Sequence, residues 1–374
     1  MIHSVEAFPI SYPEPNDHGR QRAVCLVRIR DRDGREGWGE ATTYFPEAAV
    51  ATATLIDALA PQLTDGDPRA IETLMAGLYA HTWWYGTGGA GLAGFALSAI
   101  DVALWDLKGV LLGERVLDLL GGPSKERLPA IASSHATGSE IGAMADEIAG
   151  WLQSGLTGIK VGFGKLGDAR LGFEHRRDVE FVRAVRAAVG PDKRIMIDLG
   201  VRNHWSVAEA IQRVRAFEEY GIAWIEEPLG HDDPEGYSRL RSATATEIAY
   251  GEREWSAAGV ARILATGTVD VVGLDPGRIG GVTGFSRACD LIAVARCQGN
   301  AHAWSTAIDT AASLAISWAK PVCRQLEEQP FKGPMQDDVI GGAIVHDGGY
   351  MPQPQGPGLG ISVDESVVRR YLIR

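Results

Sequence analysis

The 374-residue sequence contains only four cysteines, and no two of them form a CxxC pair. Cys25, Cys289, Cys297 and Cys323 are scattered along the chain. This is typical of reduced, buried thiols and argues against a disulfide framework or a soft-metal site. The sequence also has no surplus of positive charge, since its formal net charge is -12. A nucleic-acid partner is therefore not expected, because binding a phosphate backbone needs a basic surface.

Long apolar runs are equally scarce. The longest stretch without Asp, Glu, Lys or Arg, residues 73–100, carries six glycines and His81, which makes it a poor membrane span. The first residues, MIHSVEAFPISYP, do not have the basic start and apolar core of a signal peptide. We therefore expect a cytoplasmic protein without a membrane partner. Its apolar content of 45% and charged content of 22% are those of an ordinary globular protein.

Residues 1–127 are predicted to form a separate α+β unit. Residues 23–30 (AVCLVRIR) are typical of a strand, and Asp33-Gly34 indicates a turn into a second strand that ends near Trp38. The segment 12–22 is polar and rich in Pro, Asp and Gly, so we expect a mobile loop there. Helical patterns follow around 47–60, 68–80 and 93–111.

Residues 128–329 show a different, alternating pattern. Ser206 begins a capping box with Glu209, and the apolar residues that follow share one helical face: Val207, Ala210, Ile211, Val214 and Phe217. Between such helices lie short runs that are apolar on both faces, as in parallel strands buried on both sides. Eight such units in about 200 residues predict an α/β barrel. The tail, 330–374, contains no further unit and is expected to pack back on the N-terminal unit.

Ionisable residues follow the apolar runs at regular intervals: Lys160, Asp198, Glu226, Glu252, Asp275, His302 and Glu327. After the first step, successive members are 23 to 28 residues apart, which is one βα repeat. In a parallel barrel the carboxyl ends of the strands converge on one mouth, where barrel active sites lie. The spacing therefore predicts that these side chains meet.

Asp198, Glu226 and Glu252 would follow three consecutive strands. Three carboxylates so near one another need a cation to stay ionised. An all-oxygen set favours a hard ion, Mg²⁺ first and Mn²⁺ second, with water or substrate completing the octahedron. The alternative is a set of strand-end acids bound to backbone or arginine.

Two residues flank the acids as candidate proton carriers, Lys160 after the second strand and His302 after the seventh. Asp275, on the neighbouring sixth strand, is placed to hydrogen-bond His302 and raise its basicity. Lys160 would need a depressed pKa to act as a base. Either residue could be the initial base, and each alone could equally be a surface lysine or a core histidine.

Five barrel motifs recur in a known family: IMID with Asp198, WIEEP with Glu226, AYGE with Glu252, LDPGRIGG with Asp275 and NAH with His302. Through them, and through the PGLG of the tail, the chain resembles the mandelate racemase subgroup of the enolase superfamily over essentially its full length. The resemblance implies a modified TIM (β/α)7β barrel, with an N-terminal α+β capping domain completed by the C-terminal segment. It also implies a symmetric homo-oligomer.

The resemblance assigns roles to these positions. Asp198, Glu226 and Glu252 would bind Mg²⁺. The Asp275–His302 dyad and Lys160 would move protons, and Glu327 would hydrogen-bond the substrate carboxylate. Asp275 stands five residues before Gly280-Gly281, where the muconate-cycloisomerase-like relatives have a catalytic lysine, and this favours the Asp-His branch.

The sequence departs from the family pattern on two strands. The usual Lys-x-Lys of the second strand is Gly158-Ile159-Lys160, so the first lysine is missing. The usual Asp-x-Asn of the third strand is Asp198-Leu199-Gly200, followed by Arg202 and His204, which are candidate substrate contacts or a solvated loop.

The chemistry implied is removal of the proton α to a carboxylate, giving an enediolate stabilised by Mg²⁺. Dehydration of a sugar acid to a 2-keto-3-deoxy acid is our main prediction, and racemisation, epimerisation or cycloisomerisation is the alternative. Asn16, Asp17, His18 and Arg20 suit a polyhydroxy acid. An aromatic substrate is favoured by Tyr44, Trp83, Trp84 and Tyr85.

Two further alternatives belong to other classes. Residues 86–91 (GTGGAG) satisfy the G-x-G-x-x-G pattern of an NAD-dependent oxidoreductase, with Asp101 and Asp106 near the acidic position, although no βαβ context surrounds them. The other alternative is a metal-binding barrel that has lost catalysis.

Overall fold

The computed structural model describes residues 1–86, 90–136, 138–165, 167–200 and 205–373. The N-terminal part contains a three-stranded antiparallel sheet, β1 (Ile2–Glu14), β2 (Arg20–Asp31) and β3 (Glu36–Tyr44). The predicted strand at 23–30 is confirmed within β2. The predicted turn is confirmed as well, because Gly34 adopts a φ of 84° and its N–H donates to Asp31.

The segment 12–22 forms a paired hairpin, so the prediction of a loop was wrong for most of it. Tyr12 pairs with Arg22 across β1 and β2, and its side chain is completely buried. Asn16, in a short 3-10 turn at the tip, is also buried and donates from Nδ2 to the carbonyl of Phe331 at 2.6 Å. Tertiary burial of a few side chains orders a segment whose composition alone is typical of a loop.

Four described helices follow this sheet in the chain: α1 (Pro46–Leu63), α2 (Ile71–His81), α3 (Leu92–Leu112) and α4 (Val116–Leu119). Of these, α1 and α3 pack on the sheet. The first three confirm the predicted helices. α3 crosses β3 so closely that a Cβ on Gly39 would lie 2.0 Å from the carbonyl oxygen of Ala99. Glycine at this position therefore permits the contact that joins helix to sheet.

Eight parallel strands form a closed barrel, in which the last strand pairs with the first through Leu326 and Ala130. This confirms the predicted fold. The strands are β4 (Leu128–Ser134), β5 (Gly158–Phe163), β6 (Arg194–Leu199), β7 (Trp224–Glu226), β8 (Glu247–Tyr250), β9 (Val271–Leu274), β10 (Gln298–Ala301) and β11 (Cys323–Glu328).

Seven helices connect the barrel strands: α5 (Ile141–Trp151), α6 (His175–Val189), α7 (Val207–Glu218), α8 (Pro234–Ala243), α9 (Ala257–Ala265), α10 (Gly281–Ala295) and α11 (Ala307–Ala319). The predicted capping box of Ser206 and Glu209 is present at the start of α7. A separate apolar cluster that includes Met196 and Trp224 packs between the strands inside the barrel. The barrel is therefore a packed core beneath its mouth.

The C-terminal segment returns to both parts of the molecule. It contains β12 (Tyr350–Met351), which pairs antiparallel with β4, and α12 (Glu365–Arg370). The N–H of Leu359 donates to Asp106 of α3 at 2.8 Å, and the N–H of Ile373 donates to Pro9 of β1 at 2.9 Å. Residues 361–363 are irregular.

The glycine segment 86–91 lies between helices. α2 and the 3-10 turn Thr82–Tyr85 precede it and α3 follows, so no strand stands before the motif as a dinucleotide site would need. Residues 87–89 of the motif lie outside the described residues. Among those that are described, no helix has the length and apolar character to span a bilayer.

Candidate active site

The predicted site residues all lie on barrel strands or just beyond their carboxyl ends. Lys160 is on β5, Asp198 on β6, Glu226 on β7 and Glu327 on β11. Asp275 and His302 directly follow β9 and β10, and Glu252 follows β8 after Gly251. Asp198 is in register with Glu226 on the neighbouring strand. A cavity of about 480 Å³ opens there, and its lining includes Lys160, Asp198, Glu252, His302 and Glu327.

The ammonium group of Lys160 lies among three carboxylates. Its Nζ is 2.8 Å from Glu327 Oε1, 3.1 Å from Glu226 Oε2 and 3.4 Å from Asp198 Oδ2. Burial disfavours the charged amine, but the attraction of Glu226, Glu327 and Asp198 outweighs it, so the pKa of Lys160 is raised. This is the opposite of the depressed pKa that a catalytic base at this position would need.

The acids carry more negative charge than Lys160 alone can balance. Burial raises the pKa of Glu226 well above its ordinary value, and repulsion from Asp198, Glu327 and Glu252 adds to this against the attraction of Lys160. Burial also raises the pKa of the neighbouring Glu227, to about 7, with repulsion from Glu252. A hard cation among these groups would relieve this repulsion, so the chemistry of the donor set fits Mg²⁺.

The ligand atoms of Asp198, Glu226 and Glu252 do not converge within 4.8 Å of one another. Among the described residues, the acidic and histidine groups that do are Asp275, His302 and Asp309. Of these only His302 lines the cavity. Asp275 and Asp309 lie outside the cavity lining, and we interpret this cluster as the buried support of His302.

His302 is oriented by residues of both parts of the chain. Its Nδ1 lies 2.9 Å from Asp275 Oδ2, and its Nε2 lies 3.3 Å from the hydroxyl of Tyr44 on β3. Asp275 Oδ1 accepts hydrogen bonds from Thr42 Oγ1 at 3.1 Å and from the N–H of Gly277 at 2.7 Å. Burial alone would lower the pKa of His302, but the contact with Asp275 and the charges of Glu252 and Glu327 raise it.

Behind this dyad lie two further buried carboxyl groups that the sequence analysis missed. Glu40 of β3 accepts hydrogen bonds from the hydroxyls of Ser305 and Thr306. Asp309, in the first turn of α11, has its pKa raised by burial and by repulsion from Asp275 and Glu40. An acid in a first helical turn is usually explained by the helix dipole, so the sequence contains no signal for its contact with the dyad.

Glu327 lies at the base of the cavity and is almost completely buried. Its Oε1 accepts a hydrogen bond from Asn300 Nδ2 at 2.7 Å and contacts Lys160, while its Oε2 has no hydrogen-bond partner among the described residues. A buried acceptor without a partner is available to a ligand that can donate a hydrogen bond.

The N-terminal part closes one side of the cavity with a stacked arginine. The guanidinium of Arg22 lies 4.4 Å from the ring centroid of Tyr44 and 4.1 Å from that of Trp304, and its NH1 donates to the carbonyl of Trp304 at 2.7 Å. Arg22 is on β2, within a segment that the sequence analysis interpreted as part of a loop.

The other predicted substrate contacts divide into three groups. Asp17, Arg20 and Tyr44 line the cavity. Asn16 is used inside the hairpin. His18, Trp83, Trp84 and Tyr85 lie outside the lining, and Trp83 and Trp84 are 70% and 92% exposed. Arg202 and His204 lie outside the described residues. His135, Lys165, Arg253 and Arg278 also line the cavity, although the sequence analysis assigned no role to them. Two of them had a signal in the sequence, because Arg278 lies within LDPGRIGG and Arg253 directly follows AYGE.

The sequence and fold match known proteins along nearly the whole chain. Residues 16–121 match the mandelate racemase / muconate lactonizing enzyme N-terminal domain, and residues 143–367 match the enolase C-terminal domain-like family. A D-galactarolactone cycloisomerase of Agrobacterium fabrum is 30% identical over 94% of this chain and 92% of its own length. A D-gluconate dehydratase of Thermoproteus tenax is 32% identical over 97% of this chain and 72% of its own length.

A solved structure shows the same architecture. The 3,6-anhydro-D-galactonate cycloisomerase of Zobellia galactanivorans superimposes with a TM-score of 0.88 and 30% identity, over 100% of this chain and 99% of that chain. Both halves of the family are therefore present in one chain, in the family's order and on the family's fold. This chain belongs to the mandelate racemase and muconate lactonizing enzyme family of the enolase superfamily.

Proposed function

We propose that this enzyme removes the proton α to the carboxylate of a sugar acid and then eliminates water to give a 2-keto-3-deoxy acid. The observation that carries the proposal is the meeting of an acid cluster with the His302–Asp275 dyad at one cavity. The acids suit a cation that binds the substrate carboxylate, and the dyad suits proton transfer at the adjacent carbon.

Asp198, Glu226 and Glu252 are the residues that we assign to Mg²⁺, with Mn²⁺ as the second ion that such ligands accept. The bound cation would stabilise the negative charge that grows on the substrate carboxylate as the α-proton leaves. Lys160 supplies a fixed positive charge at the same place. Glu327 is assigned to the substrate carboxylate, to which its protonated form would donate a hydrogen bond through Oε2, an atom without a partner among the described residues.

His302 is assigned to proton transfer, and its raised pKa suits a general acid. In the dehydration, the amine of Lys160 or the imidazole of His302 accepts the C2 proton, and the C2–H electron pair becomes part of the enediolate. The C3–O bond then breaks, the leaving hydroxyl takes the His302 proton, and water departs. The enol that remains tautomerises to the 2-keto-3-deoxy acid. The prediction that Lys160 also moves a proton stays a prediction.

The cavity supports a hydrophilic substrate of sugar size. Its volume of about 480 Å³ is within the range of small-molecule sites. Its wall carries many polar groups besides the acids, among them Arg20, Ser133, His135 and Lys165. These can donate or accept hydrogen bonds along a polyhydroxy chain, whereas the exposed Trp83 and Trp84 are not placed to stack on a substrate there.

Cycloisomerisation or epimerisation is the second candidate, because two of the matched proteins are named as cycloisomerases. These reactions share the α-proton step with dehydration and differ from it in the fate of the enediolate. The cytoplasmic location and the symmetric homo-oligomer, both expected from the sequence, remain predictions.

The test is incubation of the Mg²⁺-loaded enzyme with D-gluconate, D-galactonate, D-arabinonate and galactarate in D₂O. Formation of a 2-keto acid from any of them supports dehydration. Exchange of the α-proton without a keto acid supports an epimerase or cycloisomerase. If none of these acids shows either α-proton exchange or product, the proposal is overturned, and a barrel that has lost catalysis is favoured.

A further inference from the structure

The loop after β5 brings a second lysine into the cavity. Lys165 follows Phe163, the last residue of β5, and it lines the cavity together with Asp198 and His302. Its Nζ lies 5.9 Å from the ring centroid of Trp304. Within the part of the chain that the structure describes, no carboxylate lies within 4.0 Å of this amine.

The Lys165 side chain occupies space that two glycines leave free. A Cβ on Gly200 would lie 3.0 Å from Lys165 Cε, 3.1 Å from its Cδ and 3.2 Å from its Nζ, and a Cβ on Gly162 would lie 3.0 Å from Lys165 Cε. Neither glycine has a positive φ. Their backbone conformation does not require glycine, so what these two glycines provide is room for the Lys165 side chain.

The strand register shows which positions of β5 reach the site. Gly162 is in register with Asp198, Lys160 with Met196, and Gly158 with Arg194. Position 158 therefore lies two side-chain steps deeper in the barrel than the level of Asp198. A Cβ there would lie 2.7 Å from the carbonyl oxygen of Arg194, so no lysine fits at this position. At the level of Asp198 the strand offers only Gly162.

The two lysines differ in what their amines can reach. Lys160 is 3% exposed, and its Nζ is held between Glu327, Glu226 and Asp198 at 2.8 to 3.4 Å. Lys160 also lines the cavity, but its amine already contacts three carboxylates. Lys165 has no carboxylate partner among the described residues, and it lines the open cavity. Its side chain lies beside Gly200, which is two residues after Asp198 in the chain.

We propose that Lys165 is a catalytic residue, which exchanges a proton with the α-carbon of the substrate on the face opposite His302. This rests on the proposed function. When the neutral amine of Lys165 accepts the proton, the C–H bond breaks and its electron pair enters the enediolate. In the reverse direction the ammonium group returns the proton to the same carbon. Lys165 comes from the β5 side of the acids and His302 from the β10 side, so the two groups approach from different directions.

His135 supports this arrangement. It directly follows β4 and lines the cavity, and neither of its ring nitrogens has a hydrogen-bond partner among the described residues. Its Nδ1 lies 2.2 Å from the position of a Cβ on Gly162. Burial and the charge of Lys165 lower the pKa of His135. A neutral imidazole therefore stands beside Lys165 and can hydrogen-bond a substrate hydroxyl.

The test uses the stereochemistry of exchange. The α-proton of each C2 epimer faces only one of the two proton carriers. Exchange in D₂O is therefore measured with both members of an epimer pair, D-gluconate and D-mannonate or galactarate and L-talarate. The enzymes are the wild type, K165Q, H302N and K160Q. We expect K165Q to lose 10²- to 10⁴-fold in exchange with one epimer and to keep it with the other, as removal of one acid–base group predicts. H302N should show the reverse selectivity, and K160Q should affect both. Equal rates for K165Q and the wild type would overturn the assignment while leaving the proposed function intact.

A glycine variant tests the same geometry without removing the amine. G200A should displace Lys165 and reduce exchange with the epimer that K165Q affects. In the double variant G200A/K165Q the alanine should add little, because the group that it displaces is already gone. G150A is the matched control, since a Cβ there meets nothing within 4 Å and Gly150 lies in α5. Additive losses in the double variant would contradict the geometry.

A third measurement does not depend on turnover. Reductive methylation with formaldehyde, followed by peptide mass spectrometry, reports which lysine amines are free. We expect Lys165 to be modified and Lys160 to be protected, with D-gluconate or galactarate slowing the reaction at Lys165. Modification of Lys160 ahead of Lys165 would overturn the inference even if no acid in the panel is a substrate. If Lys165 is modified but the wild type exchanges no α-proton, the proposed function fails and the catalytic role of Lys165 fails with it, while the free amine in the cavity is still established.

Discussion

His302 Nδ1 lies 2.9 Å from Asp275 Oδ2, and the side chains of the two residues are only 10% and 1% exposed. The pair is held from both parts of the molecule, because Thr42 of β3 donates to Asp275 and Tyr44 of the same strand contacts His302. The proton carrier is thus oriented by the junction between the N-terminal sheet and the barrel.

Replacing Asp275 by Asn removes the charge that raises the pKa of His302, while the side chain keeps an acceptor for Thr42. The pKa of His302 should therefore fall, and the His302 limb of the pH–rate profile should move to lower pH. We expect kcat to fall by about 10²- to 10⁴-fold, the usual contribution of general acid–base catalysis. The measurement is kcat/KM against pH, with imidazole NMR as a direct probe. D290N, at an exposed site, is the control, and an unmoved limb would contradict the prediction.

Removal of divalent cations with a chelator should abolish activity, and Mg²⁺ or Mn²⁺ should restore it. The cation should also stabilise the fold, because it binds the assembled acids and not the unfolded chain. At a concentration one hundred times its Kd, the gain in the free energy of unfolding is about 2.7 kcal/mol. Thermal melts at increasing Mg²⁺ measure this. E226Q should lose most of the stabilisation and the exposed-site variant E235Q none. A wild-type melting temperature that does not change with Mg²⁺ concentration would refute the assignment of these ligands.

Asp101 of α3 should make stability depend on pH. Its Oδ1 accepts from the N–H of Thr283 at 3.0 Å, its Oδ2 has no partner among the described residues, and burial raises its pKa to about 7. The neutral acid is favoured in the fold, so its contribution is present below about pH 4, the unfolded pKa, and is lost as the pH rises toward 7. A shift of about three pKa units corresponds to about 4 kcal/mol.

The D101N variant isolates this contribution, because its amide is neutral at every pH and retains an oxygen for Thr283. Relative to the wild type, D101N should gain free energy of unfolding between pH 4 and pH 8, as measured by urea denaturation at several pH values. D192N, at an exposed position, should track the wild type. A constant difference between wild type and D101N across this range would show that Asp101 titrates normally.

The Asp178–Arg213 ion pair should anchor the loop that carries Lys165. Asp178 Oδ2 lies 3.0 Å from Arg213 Nε, both side chains are buried, and Asp178 Oδ1 accepts from the N–H of Gly172 at 2.7 Å. D178A leaves Arg213 buried without a counter-charge, which costs about 3–5 kcal/mol. Urea unfolding measures the loss, and the double variant D178L/R213M should recover part of it. A loss below about 1 kcal/mol would show that the pair is dispensable.

The barrel and the positions of its ionisable residues could be predicted from the sequence because both depend on local spacing. Strand, helix and strand recur at one βα length, so Asp198, Glu226 and Glu252 follow successive strands whatever the loops do. Alternation along each strand then fixes which side chains face the same side. The same reasoning placed Asp275 beside His302.

Other features were decided only by tertiary contacts. Lys160 has three carboxylate neighbours, one of them from the last strand, 167 positions later, and no local pattern predicts that contact. Lys165 and Asp309 reach the site because a loop folds back over two glycines and because a helix start packs behind Asp275. Segment 12–22 pairs as a hairpin because Tyr12 finds a buried place. Periodicity encodes the phase of a strand or helix, whereas the direction of a loop and the partners of a buried charge are set by surfaces that meet only after the chain has closed.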